Sequence, residues 1–344
     1  MQAVQETLAQ DVDRVRAELE LYDVLSDALK ARYAEDVLSL REYDRRARRS
    51  TYANTIVGCY GLIEQTIDSM LVSIAEAFLR FYDRHDEIPL AVRNQHRELL
   101  LQCLRDGERA RTRNQISERA ALEALGRAPE DPALLLSSVF TLSTANYRLP
   151  YTQTLFKRLG VDILTGLAIG APTELFEKSG FANFESFIED LVQRRNDLAH
   201  SYGDDNIVDP ELLSTYVDIV SSYLSAVERV ADLSLVRLLA ENKLEPIGKV
   251  VATWTGRIGV RLTAGSVAVG DQLLLLKDDW CTSHAVTSLQ SEGTNSAEFV
   301  FDGTSIDVSA SVENVPSKAE HAVAYKFPPL WQDFWPSEYR QGAS

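Results

Sequence analysis

The sequence predicts an α+β protein with two domains, an all-helical domain over residues 1–244 and a small antiparallel β-barrel over residues 245–326. Apolar residues of the first part recur every three or four positions, as on one face of an α-helix. Near residue 245 the pattern changes to short alternating stretches separated by turns. The 344 residues suffice for about two domains.

The clearest helix of the first part runs from Ser50 to Phe81 and is expected to end before Pro89. Its apolar side chains share one face. They are Tyr52, Ile56, Tyr60, Ile63, Ile67, Leu71, Ile74 and Phe78.

Other helices are predicted from periodicity and from capping residues at their starts. They are expected over residues 4–40, 90–105 and 114–126, after Asp131-Pro132, from Asn183 to about His200, and from Asp209-Pro210 to about Asn242.

After Pro246, strand-like stretches alternate with glycine-containing turns, which predicts six or so strands in a small barrel. The strand candidates are Val250–Trp254, Ile258–Leu262, Gln272–Leu276 and Glu298–Phe301. Residues 327–344 form an aromatic, proline-rich tail. We expect this tail to pack onto the body of the protein, and a docking peptide is the alternative.

The composition bounds the function. A net charge of −16 and a pI near 4.8 disfavour general adhesion to nucleic acid but leave room for a local basic site. No run of about 18 apolar residues and no signal-peptide pattern is present, so no membrane association is expected. Three dispersed cysteines fit reduced thiols in the cytoplasm.

Neither a metal nor a cofactor is expected, because no Cys/His pair has ligand spacing and no glycine-rich phosphate loop occurs. The residues Asp83, His85, Asp86 and His96 are interpreted as a solvated surface instead of a metal site.

One basic run interrupts the acidic trend. It contains Arg45, Arg46, Arg48 and Arg49. Two interpretations stay open, a solvated helix face and a patch that faces RNA phosphates.

The stretch from Arg194 to Gly203 carries the strongest candidates for chemistry. It lies at the end of a predicted helix, where Asn196 and His200 are four residues apart and share a face. Arg195 lies about 140° around the helix from His200 at 100° per residue, but its long side chain could still reach a shared substrate.

These residue types suit metal-free cleavage of an RNA phosphodiester. A histidine can take the proton of a ribose 2′-hydroxyl near neutral pH, and an arginine can stabilise charge on the phosphoryl oxygens. The alternative is that cations near a helix C-terminus merely complement the helix dipole.

The hexapeptide from Arg195 to His200 resembles the R-x4-6-H signature of HEPN domains. Three other segments resemble the MAE-type HEPN branch of bacterial defence loci, over roughly residues 40–240. They are the helix from Tyr52 to Phe81 with its stretch Tyr60–Glu64, the stretch Ser143–Tyr147, and the stretch Phe156–Gly160.

This resemblance implies a metal-independent endoribonuclease in which arginine and histidine of two protomers meet in a dimer cleft. Arg195 would stabilise the phosphate, His200 would act as acid and base, and Asn196 would orient His200 or the substrate. Arg194 could substitute for Arg195, and Glu64 is a candidate auxiliary residue.

Tyr202 extends the match to R-x4-H-x-Y, which resembles HEPN toxins paired with nucleotidyltransferase antitoxins. There the tyrosine is an AMPylation target. The alternative is that Tyr202 packs beside the site.

The segment with Ile247–Ala252, Gly256–Leu262 and Gly265–Asp271 resembles the second-domain barrel of translation elongation factors. That resemblance allows three roles, which are positioning a structured RNA, binding a protein and bracing the dimer.

Together these observations favour a ribonuclease toxin or phage-defence effector, acting in abortive infection on tRNA or mRNA as a homodimer, with an antitoxin or defence protein as partner. The alternative is a catalytically silent HEPN scaffold or RNA-binding adaptor. A translation-linked regulator that acts through the barrel is a third interpretation.

Overall fold

A computed structural model describes residues 2–32, 37–106, 116–164, 167, 172–200, 207–277, 280–312 and 319–327. The chain divides into two compact units, Met1–Asp232 and Leu233–Ser344. The expected fold class, helices followed by a small antiparallel β-barrel, is confirmed.

Eight α-helices lie within the described residues. They are α1 Gln2–Arg32, α2 Val37–Phe81, α3 Leu90–Arg105, α4 Glu118–Leu125, α5 Leu149–Lys157, α6 Thr173–Ser179, α7 Phe184–His200 and α8 Pro210–Lys243. Short 3₁₀-helices occur at His85–Glu87 and Ser137–Thr141. None of the helices in the described ranges is long and apolar enough to cross a bilayer.

Helices α1 and α2 form an antiparallel pair. Val15 lies opposite Gly58, where an added β-carbon would come within 3.4 Å of the valine Cγ2. Further along, Tyr22 donates a hydrogen bond to Asp44 Oδ1 at 3.0 Å. The predicted helix from Ser50 is therefore the C-terminal part of a longer helix that also carries the basic run.

The core of the helical unit is built around α2, because its predicted apolar face is buried. Ile56, Ile63 and Ile67 are fully buried. Helix α2 packs against α7, which contributes the fully buried Phe187 and Leu191.

Helix α7, which carries the candidate residues, begins where the sequence predicts. Asn183 caps it, since the Ser186 N–H donates to Asn183 Oδ1 at 2.9 Å. The Phe187 N–H donates to the Asn183 carbonyl at 3.2 Å.

The prediction of a helix after Asp131-Pro132 is wrong. Residues 133–136 have no regular secondary structure, and the Ala133 N–H donates to the Asp83 carbonyl at 2.8 Å. Instead, the Asp131 carboxylate accepts from the Ala128 N–H at 2.9 Å, and its carbonyl accepts from the His85 N–H at 2.8 Å. Because the Asp131 carboxylate accepts from the Ala128 N–H, it stabilises a turn and does not cap a helix.

The second unit is a β-barrel whose described strands are all antiparallel to their partners. They are β1 Pro246–Trp254, β2 Arg257–Leu262, β3 Ser266–Ala268, β4 Gln272–Lys277, β5 Trp280–Ser291, β6 Thr294–Ser296, β7 Glu298–Val300, β8 Ile306–Val312 and β9 Val323–Phe327. Six strands close in the order β4-β9-β1-β2-β8-β5, with β5 pairing back to β4. Strand β6 pairs with β5 at the edge of this sheet, and β3 pairs with β7 in a separate two-stranded sheet.

The inside of the barrel is apolar. Ile258, Leu273 and Leu275 are fully buried and belong to one cluster with residues from the other closing strands. The tail prediction falls mainly on residues 328–344, which lie outside the described residues.

Candidate active site

The end of α7 presents the sequence-predicted residues. Arg194, Arg195 and Asn196 are half-buried there. His200 is the last residue of the helix, and its side chain lies outside the described part of the chain, as does all of Tyr202. At about 1.5 Å per residue, His200 follows Arg195 by about 7.5 Å along the axis.

The Arg195 side chain lies over an aromatic ring. Its Cζ is 5.0 Å from the centroid of the Tyr60 ring, which is cation–π distance. Its Nη1 donates to Asn196 Oδ1 at 3.2 Å. Both contacts are with neutral groups, so they orient the guanidinium without cancelling its charge.

The hydroxyl of Tyr60 is held by the loop that precedes α5. The Tyr147 N–H donates to Tyr60 Oη at 3.1 Å, and that hydroxyl is 3.4 Å from Asn146 Oδ1. Burial raises the pKa of Tyr60 to about 12, assisted by Glu64 and opposed by the Tyr147 N–H. At neutral pH Tyr60 therefore keeps its proton, so it serves as a platform and not as a base.

Tyr147 continues this chain of contacts back to α2. Its ring is buried, and its hydroxyl donates to Asp68 Oδ1. Burial, and secondarily the Asp68 carboxylate, raises the pKa of Tyr147. Tyr60, Glu64 and Asp68 follow one another at intervals of four residues, so they share one face of α2.

The loop before Tyr147 is anchored by an arginine. Arg158 Nη1 donates to the carbonyls of Phe140 and Leu142 at 2.9 and 2.8 Å. The Thr144 N–H also donates to Tyr151 Oη at 3.0 Å. These hydrogen bonds fix the loop that leads to Tyr147, whose N–H donates to the Tyr60 hydroxyl.

Arg194 has a different environment, although it is the next residue. Its Nε donates to Asp190 Oδ2 at 2.7 Å and to Tyr216 Oη at 3.1 Å. Its Nη1 donates to Tyr52 Oη at 3.3 Å. Burial works against the charge, yet the hydrogen bonds to Asp190 and Tyr52 leave the pKa of Arg194 raised. Arg194 thus joins α7 to α2 and α8.

The basic run lies on α2 and is partly engaged. Arg48 Nε is 3.1 Å from Asp44 Oδ2 and donates to Tyr22 Oη at 3.2 Å, which ties α1 to α2. Arg45 and Arg46 are exposed, and Arg49 is half-buried. The phosphate-facing interpretation of this run stays a prediction.

Within the described ranges, no group of three or more His, Cys, Asp or Glu side chains is placed to hold a metal ion. The interpretation of His96 as a surface residue is wrong, because it is 2% exposed. Its Nε2 accepts the Leu136 N–H at 3.0 Å, and burial lowers its pKa to about 4.

The site thus brings together three segments that the sequence singled out separately. The stretch Tyr60–Glu64, the stretch Ser143–Tyr147 and Arg195 meet at Tyr60. Sequence reasoning missed that Tyr60 supports Arg195, and it missed Asp68 entirely. The four-residue spacing of Tyr60, Glu64 and Asp68 was the available signal.

A protein-family model described as RiboL-PSP-HEPN matches residues 25–232, well over half of the chain, and spans every residue of this site. No curated protein and no solved structure is significantly similar to the chain. Two more specific resemblances stay predictions. They are that of the helical part to the MAE-type HEPN branch and that of the barrel to the second domain of translation elongation factors.

Proposed function

The chain belongs to the RiboL-PSP-HEPN family, and on that premise we propose that it is a metal-independent endoribonuclease with Arg195 and His200 as its catalytic pair. HEPN domains are generally RNase-type domains, so family membership indicates an RNA-related, nuclease-type function. The catalytic residues, the independence from metal and the biological role belong to the proposal.

One observation carries the proposal most directly: the Arg195 guanidinium is held by the Tyr60 ring and Asn196, on the turn before His200. An arginine oriented by neutral groups keeps its full charge for an anionic ligand. A planar guanidinium can donate two hydrogen bonds to a phosphate, and these strengthen as charge builds on the phosphoryl oxygens.

The reaction balances with side chains alone. A neutral His200 takes the proton of the ribose 2′-hydroxyl, and the 2′-oxygen attacks the adjacent phosphorus. The bond from phosphorus to the 5′-oxygen breaks, and that oxygen takes a proton. The products are a 2′,3′-cyclic phosphate and a 5′-hydroxyl.

In an in-line attack the 2′-oxygen and the leaving 5′-oxygen lie on opposite sides of the phosphorus, so two imidazoles in one groove can act as base and acid on the two oxygens at once, whereas one would have to serve both in turn. We therefore propose a two-fold homodimer in which the two copies of His200 face a shared groove. Light scattering should show a dimer in the active preparation. An active monomer at micromolar concentration would contradict this part of the proposal.

For the biological role we propose a toxin or phage-defence effector that acts on tRNA or mRNA and is restrained by a partner protein, with Tyr202 as the candidate for modification. The support is the resemblance of Arg195–Tyr202 to HEPN toxins. Expression of the wild type should slow growth and degrade cellular RNA, whereas His200→Ala should do neither. Equal toxicity of both chains would favour the scaffold alternative.

The decisive test for the metal-free mechanism uses purified protein and RNA in excess chelator. We expect cleavage to continue unchanged, since the proposed chemistry uses no metal. The matched control is His200→Ala under the same conditions, which should be inactive. Loss of wild-type activity in EDTA, restored by one divalent ion, would contradict the mechanism.

A further inference from the structure

One face of the β-barrel carries more cations than carboxylates, which is the opposite of the barrel sequence as a whole. Residues 245–326 contain more carboxylates than cations. On the outer side of β1, β2 and β8, however, the strand register collects three cations and one tryptophan. The cross-strand rows are Trp254–Arg257–Ser311, Ala252–Gly259–Ser309 and Lys249–Arg261–Asp307.

These three rows face outward together, because cross-strand partners point to the same side of a sheet. The residues between them on β2, Ile258 and Val260, are buried in the barrel core. Lys249, Arg257 and Arg261 are all exposed. We call these three rows the barrel face.

Trp254 is the aromatic member of the barrel face and is 54% exposed. A β-carbon added to Gly259 would come within 3.2 Å of two of its ring carbons. The ring therefore lies over Gly259, where the absence of a side chain leaves room for it. One large aromatic side chain is thus supported by the strand and still open to a ligand.

The one carboxylate on the barrel face is already paired. Arg261 Nε and Nη2 donate to the two oxygens of Asp307 at 2.8 and 2.9 Å. Lys249 lies in the same row as that pair, and Arg257 lies two rows away, beyond the small residues Ala252 and Gly259. The barrel face also carries the hydroxyls of Ser309 and Ser311, and Ser311 Oγ accepts a hydrogen bond from Ser288 Oγ of the neighbouring strand β5 at 2.7 Å.

We propose that the barrel face binds a short single-stranded RNA segment, with one base stacked on Trp254 and the phosphates beside Lys249 and Arg257. An exposed aromatic ring among cations is the combination that single-strand binding uses. A protein partner fits less well, because the centre of a protein interface is apolar and large. The proposal is independent of the cleavage chemistry at the end of α7.

The test is fluorescence anisotropy with the full-length chain and a labelled 2′-O-methyl oligouridylate of about ten nucleotides, within the usual site size of single-strand binders. The methyl group blocks 2′-oxygen attack, so binding is measured even if the proposed nuclease mechanism fails. Trp254→Ala should weaken binding at least about fivefold, and Trp254→Phe should retain most of it. The matched control is Val300→Ala, at an exposed apolar residue on β7.

Charge gives a second readout. Lys249→Gln and Arg257→Gln should each reduce the slope of log affinity against log salt by about 0.7, the value expected for one single-strand phosphate contact. Asp307→Asn should tighten binding, because it removes the carboxylate paired with Arg261. Lys326→Gln is the control, since Lys326 lies on β9 and pairs with Asp271 at 2.8 Å.

Weaker binding by Trp254→Ala and lower salt slopes for Lys249→Gln and Arg257→Gln, with both controls unchanged, would support the proposal. Equal affinity and slope in wild type and all barrel-face variants would overturn it. It would also be overturned if the wild type failed to bind at about 100 µM, the weak end of non-specific nucleic-acid affinity.

Discussion

Two neighbouring arginines in the last turns of α7, Arg194 and Arg195, have different surroundings. Arg194 points into a polar cluster, with the Asp190 carboxylate at 2.7 Å and the hydroxyls of Tyr216 and Tyr52 beside it. Arg195 lies over the Tyr60 ring, with the Asn196 amide as its hydrogen-bond partner.

The difference lies in what each contact does to the charge. A carboxylate neutralises a guanidinium and fixes it in the fold, whereas an aromatic ring and an amide orient it and leave the charge in place. We therefore expect Arg194 to act in the fold and Arg195 to act on an anionic ligand, because the two lie on different faces of the helix.

The largest effect is expected at Arg195. Arg195→Ala should lower kcat for RNA cleavage about 10²- to 10³-fold, the usual cost of removing one donor that stabilises a developing oxyanion. Arg195→Lys should recover little of this loss, because an ammonium lacks the planar pair of donors. The free energy of unfolding should change by less than about 1 kcal/mol, the scale of one exposed cation–π contact. A wild-type kcat in Arg195→Ala would contradict a catalytic role for Arg195.

Arg194→Ala should show the reverse profile. Removing the guanidinium leaves the half-buried Asp190 carboxylate without its cation, although the Tyr216 hydroxyl still donates to Asp190 Oδ2. The free energy of unfolding should therefore fall by about 2–3 kcal/mol, less than for a fully buried pair. Activity per folded molecule should fall far less than in Arg195→Ala. Urea unfolding measures the first quantity and active-site-normalised kinetics the second. Gln193→Ala, at an exposed neighbour, is the control.

Glu228 is a buried acidic residue that can be compared with the Asp190–Arg194 pair. Glu228 is 2% exposed, and its Oε1 has no hydrogen-bond partner among the described residues. Burial raises the pKa of Glu228 to about 7, with a hydrogen bond from Gln5 acting in the opposite direction. An unfolded glutamate has a pKa near 4.3, so the folded state holds this proton more tightly.

The sign follows from that difference. Below about pH 4.3 both states are protonated and Glu228 costs nothing, and the cost grows as pH rises towards about 7. Glu228→Gln stays neutral, so it should be more stable than the wild type by about 2 kcal/mol at pH 8 and no more stable than it at pH 4. Urea unfolding at both pH values tests this, and an equal difference at the two values would contradict it.

Much of the fold could be predicted because local signals agree with the tertiary structure. Helix α7 has a capping asparagine and a clear apolar face, and α8 begins at a proline that follows an aspartate. The longest strand, β5, was not among the strand candidates. Its first half is polar, with Thr282 and His284 buried there and hydrogen-bonded to each other through their side chains at 2.8 Å.

The site could be predicted in part. Spacing along the chain predicts Arg195 and His200 as candidate site residues, but it carries no information about which distant ring lies beneath the guanidinium. That contact depends on how α7 packs against α2. The distinction between the two arginines was accessible in principle, since Asp190 lies four residues before Arg194, whereas Leu191 lies four residues before Arg195.

We propose that RNA is cut by its own 2′-hydroxyl, with Arg195 and His200 assisting. The most direct measurement is end-group analysis of the RNA fragments, made in chelator. We expect 2′,3′-cyclic phosphate and 5′-hydroxyl ends from the wild type, no cleavage of a 2′-deoxy substrate, and no cleavage by His200→Ala. Fragments with 3′-hydroxyl and 5′-phosphate ends would contradict it, because water and not the 2′-hydroxyl would then have attacked the phosphorus.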